Sequence, residues 1–355
     1  MKLRIDGQGA ISLGQADFVG SGGEGSVYAK GSTAIKVYHD PSRMIPVGKL
    51  GELAAITDPD VIKPERIVRD RAGRAVGYTM RFLSGTHALC QLFPPAFRQR
   101  TGITPDTTLR LVQSLRQRVD SAHRAGVLVV DLNELNFVVD AGFCTVYAID
   151  VDSYQTAHYP ATAIMPSVRD PQVQGRPFTE LSDWFSFAVV SFNLFVGIHP
   201  YRGQHPTLKS LEDRMRAGVS VFHPDVSVPR VVLGFDVIPE VYRQWYRAVL
   251  QEGQRLPPPS DLHAAVAVVP RVRHLAGTDR FDIREVHAYP ADVLGFFDHD
   301  GVTLTTTTDG LFIGGRRVHD TRPGAAAVGL CRRDRRAVVA GTRDRMLWLF
   351  DPEAG

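Results

Sequence analysis

The stretch Gly20-Ser21-Gly22-Gly23-Glu24-Gly25-Ser26-Val27 constrains the fold of this chain more than any other. It fits G-x-G-x-x-G-x-V, a pattern that also arises in flexible loops and in dinucleotide-binding turns. The residues just beyond the glycines decide between these origins. Ser26-Val27-Tyr28-Ala29 reads as a strand and not as the opening of a helix. Lys30-Gly31-Ser32 reads as a turn, and Thr33 to Tyr38 as a second strand that carries Lys36 between apolar residues. A Rossmann unit and a P-loop both need a helix directly after the glycines, so the pattern argues against both. The remaining geometry is a glycine-rich hairpin laid over phosphate groups, with a lysine on the next strand reaching them.

A second constellation lies in residues 126 to 152. Asp131 is followed by Asn136, and Asp150 comes later in the same stretch. Between Asn136 and Asp150 the sequence reads as a hairpin: Phe137-Val138-Val139, the turn signal Asp140-Ala141-Gly142, and the return run Cys144 to Ile149. A tight hairpin brings its ends together, so Asn136 and Asp150 are expected side by side, with Asp131 just before them. Two carboxylates and an amide are hard oxygen donors that suit Mg²⁺ and a hydroxyl nucleophile. The alternative is a loop with ordinary solvated acids.

These parts together resemble the protein kinase fold over roughly residues 8 to 265. The resemblance implies an α+β, bilobal chain: a β-rich small lobe with a β lead-in over 1–84, and a mostly helical large lobe over 85–265. It implies ATP and Mg²⁺ as cofactors. Gly20, Ser21, Gly22, Gly23, Glu24, Gly25 and Val27 would cover the phosphates, and Lys36, behind Ala34, would hold them. Glu52, on the helical stretch 44–56, would orient Lys36. Met80 would be the gatekeeper, with Arg81 and Leu83 binding adenine through their backbone. Asn136 and Asp150 would hold the metal and Asp131 would accept the substrate hydroxyl. Asn133 would take the place of the usual lysine and hydrogen-bond the transferring phosphoryl group.

The wording of three motifs is narrower: Gly22 to Tyr28, Asp131-Leu132-Asn133, and Ile149-Asp150-Val151-Asp152-Ser153-Tyr154-Gln155. They resemble a divergent bacterial group, the kinases of tellurium-resistance-type gene clusters. That likeness implies a von Willebrand A protein and a phosphatase as partners, beside a protein substrate. The departures matter too. Val129-Val130 stand where His-Arg is usual, which removes the clamp for an activation-loop phosphate. Asp170-Pro171-Gln172 stands for Ala-Pro-Glu, so the usual ion pair with Arg255 is expected to shrink to a neutral hydrogen bond.

Elsewhere Thr104-Pro105 opens a helix whose apolar residues repeat from Leu109 to Ala122, and Asp183 is expected to anchor the catalytic-loop backbone from the start of a buried helix. After a linker over 266–280, residues 281–355 turn into short β runs, an all-β module resembling partial β-propeller blades. Fewer than two blades are present, so either the natural chain continues past Gly355 or the sheet packs on the large lobe. The net charge of +3 points to no nucleic-acid partner. MKLRIDGQGA lacks a signal-peptide core, the apolar run at 185–198 reads as a buried helix, and Cys90, Cys144 and Cys331 match no metal or disulfide spacing. A cytoplasmic protein without membrane contact is expected. The first reading is a Ser/Thr-type protein kinase that needs no activation-loop phosphate. The rival is a pseudokinase, an ATP-binding scaffold recruiting partners through the β module.

Overall fold

The computed structural model describes residues 1–161, 164–173, 175, 177–259 and 289, then residues 291, 292 and 308 and the seven strands named below between 293 and 350. The chain divides into two compact units, Met1–Val266 and Ala267–Gly355. The expected linker over 266–280 lies outside the described residues.

The first unit begins as a seven-stranded antiparallel sheet. Its strands are β1 (Lys2–Ile5), β2 (Gly9–Ser12), β3 (Phe18–Ser21), β4 (Gly25–Lys30), β5 (Thr33–Tyr38), β6 (Arg66–Arg69) and β7 (Ala75–Arg81), in the spatial order β2-β1-β6-β7-β5-β4-β3. The glycine-rich stretch is the β3–β4 hairpin, with Gly20 opposite Val27 and Ser21 opposite Ser26. Lys36 lies in the middle of the sheet, flanked by Val27 on one side and Tyr78 on the other. The strands can approach this closely because residue 77 is glycine; a Cβ there would run into the carbonyl oxygen of Lys36.

Alternation divides the side chains between two faces. Leu3, Ile5, Leu13, Ile35, Val68 and Val76 form one apolar cluster, and Tyr38, Leu50, Ile67 and Tyr78 form the other. The second cluster takes in Leu50 of the short helix α1 (Val47–Leu53), which lies inside the wider stretch expected to be helical.

A smaller sheet comes next, formed by β8 (His87–Ala88), β9 (Phe137–Val139) and β10 (Val146–Ala148) in the order β10-β9-β8. The expected hairpin is β9–β10, with Val139 opposite Val146. Asp140 closes its turn by accepting hydrogen bonds from the backbone N–H groups of Gly142, Cys144 and Thr145.

The helices are α2 (Pro95–Thr101), α3 (Pro105–Arg124), α4 (Glu180–Val196), α5 (Leu211–Ala217) and α6 (Glu240–Leu250). Thr104 caps α3 through the N–H of Thr107, and Leu111, Val112, Leu115, Val119 and Ala122 form its buried stripe. Helix α4 is buried nearly all round, so its apolar residues show no single stripe. Its serines find partners inside: Ser186 donates to the Val168 carbonyl, and Ser191 shares a hydrogen bond with the Tyr246 hydroxyl. Among the described residues no helix is long and apolar enough to cross a membrane.

The second unit holds two antiparallel meanders. One runs β11 (Val293–His299), β12 (Val302–Thr307), β13 (Gly310–Ile313) and β14 (Arg316–His319); the other runs β15 (Ala326–Leu330), β16 (Ala337–Arg343) and β17 (Met346–Phe350). The chain is therefore of mixed α and β structure, with a β module at its C-terminal end.

Candidate functional site

Helix α3 ends at Arg124, and Ala125 and Gly126 hand the chain to a loop that is fastened at several points. Leu128 and Gln155 exchange backbone hydrogen bonds of 2.9 and 2.8 Å. Asp183, in the first turn of α4 and 1% exposed, accepts from the backbone N–H of Val129 at 2.7 Å and of Val130 at 2.9 Å. His123 donates to the same carboxylate. Val130 itself has φ of +58°, a left-handed conformation that costs a β-branched residue about 1–3 kcal/mol. The buried Asp183 carboxylate offsets that cost by accepting from the N–H groups of both Val129 and Val130. Val129 and Val130 are both buried, each 1% exposed.

The loop ends on the expected residues. Asn136 donates from Nδ2 to the Asp131 carbonyl at 2.9 Å and to Asp131 Oδ2 at 3.3 Å, and the Ile149 N–H donates to the Asn136 carbonyl. Asp150 thereby stands beside Asn136 at the end of the β9–β10 hairpin. The N–H of Met165 donates to Asp131 Oδ1 at 2.7 Å. Asn133 departs from its expected role. It is 2% exposed, accepts the Leu135 N–H on Oδ1 and donates to the Asp131 carbonyl, so its amide shapes the loop and faces no open space.

Lys36 is brought to the same place from the sheet. Its Nζ donates to Asp150 Oδ1 and to Asp152 Oδ2, both at 2.8 Å, with Glu24 at 3.8 Å. Nζ lies 5.2 Å from the Tyr38 ring centre and 5.8 Å from that of Tyr78. Burial works against the charge on this lysine, but the carboxylates of Asp152 and Asp150 outweigh it and raise its pKa above the ordinary value. Asp150 is pushed up, by burial first and then by the charge of Asp152. Asp152 is itself penalised by burial, yet Lys36 draws it below the usual carboxylate range.

The expected Lys36–Glu52 pair is absent. Glu52 faces His158, whose Nδ1 donates to it at 2.8 Å and whose backbone N–H adds a second bond. Helix α1 contributes a lysine instead: Lys49 Nζ donates to the Asp152 carbonyl at 2.7 Å. Asp152, two residues beyond Asp150, has taken the place foreseen for Glu52.

Around these groups opens a cleft of about 480 Å³. Gly20, Ser21, Gly22, Gly23, Glu24, Gly25, Val27, Ala34, Lys36, Met80, Arg81, Leu83, Asn136 and Asp150 all line it, whereas Glu52, Asp131 and Asn133 do not. Ile62, Leu135, Val138 and Ile149 add apolar walls that sequence reasoning did not name. Val138 and Ile149 belong to the hairpin already read there, so their apolar character was the available signal.

A further correction concerns Arg255. Its Nε and Nη2 meet Asp170 Oδ2 and Oδ1 at 2.6 and 2.5 Å, a two-pronged ion pair with the acid 2% exposed. The pair was expected to be reduced to a neutral hydrogen bond at Gln172. The acid has moved two residues upstream instead, and Gln172 binds the Gly253 carbonyl.

No family model matches the sequence. The chain is similar to "Protein kinase YegI" of Escherichia coli strain K12, 29% identical over 206 residues. The protein of the same name from Escherichia coli O157:H7 is 28% identical over 206 residues. Each match takes in 52% of this chain, which spans 32% of the length of these curated relatives.

Proposed function

We propose that residues 1–265 form a bilobal protein kinase domain that transfers the γ-phosphate of ATP to a serine or threonine hydroxyl of a protein. The observation that carries this reading is the convergence of Lys36, Asn136 and Asp150 on one cleft roofed by the β3–β4 hairpin, with Asp131 hydrogen-bonded to Asn136 beside it. Similarity to a protein named as a kinase supports the same class.

The residues fit the two absent groups. The cleft volume falls in the range of small-molecule sites, and apolar residues flank its Met80–Leu83 side as an adenine ring requires. Asp150 has 44% of its side chain exposed, and its pKa is raised by burial first and then by the Asp152 charge; a divalent cation beside it would favour the ionised form. Asn136 spends its amide N–H on Asp131, which leaves its amide oxygen as a further hard donor beside Asp150. When bound, Mg-ATP supplies the phosphoryl group and the metal charge that screens its oxygens.

The chain's own residues do the remaining work. Lys36 places a fixed positive charge at the phosphate end of the cleft. The hairpin keeps water off that end. Asp131 holds its carboxylate where a hydroxyl entering from the 164–170 side can give up its proton, and Asn136 and the Met165 N–H fix its orientation. Val130, buried, offers nothing to an activation-loop phosphate, and Ser153 and Thr156 are poorly placed to carry one. The Ser153 hydroxyl donates to the Asp150 carbonyl and Thr156 is 6% exposed.

A pseudokinase is the second reading. It is favoured by the inward turn of Asn133, which leaves the loop without its usual extra donor. The test is Mg²⁺-dependent binding of ATP together with transfer of labelled phosphate to a generic basic protein. Lys36→Met and Asp150→Asn are each expected to reduce transfer by ~10²-fold or more with the fold intact. Parental rates in both variants would refute the assignment of the site.

A further inference from the structure

We propose that Asp152 is the positioning residue of Lys36, so that the lysine is aligned by the turn that carries Asp150 and not by helix α1. The inference rests on the kinase reading of the cleft and adds the residue on which the phosphate contact depends.

Geometry singles out Asp152 among the acids near Lys36. The side chain of Glu24 is 53% exposed and sits at 3.8 Å. That of Asp150 is 44% exposed and opens on the cleft. That of Asp152 is 3% exposed and bonds Nζ at 2.8 Å. A buried, unscreened pair of this kind fixes geometry in a way that a solvated one does not. The carboxylate is itself held. The Tyr38 hydroxyl donates to Asp152 Oδ2 at 2.5 Å, from the same strand as Lys36. Tyr78, directly across the sheet from Lys36, is kept protonated by burial and by the Asp152 charge. Lys49 holds the Asp152 carbonyl, and the Ser153 N–H and hydroxyl both return to the Asp150 carbonyl.

Helix α1, by contrast, supplies no acid to Lys36. It has seven residues, and its Glu52 is engaged by His158. Gly48 lies under the Tyr159 hydroxyl so closely that a Cβ there would collide with it. The helix is therefore pinned to the 152–159 segment at three points: Lys49, Glu52 and Gly48. Two neighbouring acids divide the labour. Asp150 faces the cleft and is available to a cation, while Asp152 stays behind as the permanent counter-charge of Lys36. Any displacement of the 150–153 turn would then move the metal side and the lysine together.

The experiment measures equilibrium binding of ATP, ADP and adenosine to the full chain by calorimetry, for the parent, Asp152→Asn, Glu52→Gln, Lys36→Met and Asp152→Asn with Lys36→Met. Asp152→Asn is expected to weaken ATP and ADP by about tenfold or more, the worth of one charge-assisted contact. Adenosine, which has no phosphate, should stay within about twofold. In the Lys36→Met background the Asp152 effect should vanish, since it acts through the lysine. Glu52→Gln should leave all three ligands unchanged. The proposal is overturned if Asp152→Asn weakens adenosine as much as ATP, if its penalty persists without Lys36, or if Glu52→Gln produces the phosphate-specific loss. Should Asp152→Asn fail to fold, the Glu52→Gln arm and Tyr38→Phe decide: Tyr38→Phe must weaken ATP and spare adenosine. A parent that binds neither adenosine nor ATP refutes the kinase reading itself, a result distinct from all of these.

Discussion

Replacing Asp170 with alanine should destabilise the first unit, and the size of the effect can be worked from its surroundings. The carboxylate is 2% exposed and takes both prongs of Arg255, whose side chain is 12% exposed and whose guanidinium lies 4.6 Å from the centre of the Phe185 ring. Removing the acid leaves that guanidinium buried and unpaired, a change that typically costs 3–5 kcal/mol. Arg255 keeps its bonds to the Val249 and Gln254 carbonyls, which places the expectation at about 3 kcal/mol, the lower end of that range. For a unit of this size such a loss lowers the melting temperature by roughly 6–12 °C. Urea unfolding followed by tryptophan fluorescence is the assay, with Trp184 and Trp245 reporting from the same region. Gln172→Ala, which removes only a neutral bond to Gly253, should cost less than about 1 kcal/mol. Adding Arg255→Met to Asp170→Ala should recover much of the loss, because the stranded charge is then gone. An Asp170→Ala protein as stable as its parent, or a Gln172→Ala protein that is worse, would refute the relocation of this ion pair.

Two other outcomes are expected from the same structure. His199 is buried, donates from Nε2 to the Ser167 carbonyl and accepts the Tyr201 N–H on Nδ1; burial lowers its pKa from 6.5 to about 4. The unfolded chain therefore binds a proton that the folded chain refuses between these values. The His199 contribution is whole above about pH 6.5 and should fall by up to about 3 kcal/mol as the pH drops to 4, a slope that His199→Gln should remove from urea titrations. A chain ending near residue 275 should remain folded and bind ATP with the affinity of the full chain, because the first unit closes at Val266 and contains every residue lining the cleft; loss of nucleotide binding on that truncation would make the β module part of the site.

The sequence was most legible where backbone geometry is set locally. The glycine hairpin, the Asp140 turn and the Thr104 cap each arise from the conformational needs of a few adjacent residues, and Asn136 and Asp150 met because a three-residue strand pair left them no alternative. It was least legible where a buried cation chooses its counter-charge. Burial demands that Lys36 and Arg255 find carboxylates, but it does not demand a particular position in the chain. In both cases an acid near the expected one in space took the place: Asp152 for Glu52 and Asp170 for residue 172. The spare acids were visible in Ile149-Asp150-Val151-Asp152 and before Pro171, yet motif spacing gave them no role. Asn133 misled for a related reason. An amide can equally face a ligand or tie its own loop, and only the burial of residue 133 distinguishes the two.

The measurement that bears most directly on the kinase reading is turnover of γ-labelled ATP by the parent chain and by Asp131→Asn, with ATP affinity measured on both. Equal affinity is expected, with a fall in phosphoryl transfer of ~10²-fold or more in the variant, since on the proposed reading Asp131 handles the hydroxyl proton and not the nucleotide. Equal affinity with no transfer above the variant's background in the parent would contradict that reading, and would make the chain a nucleotide-binding scaffold.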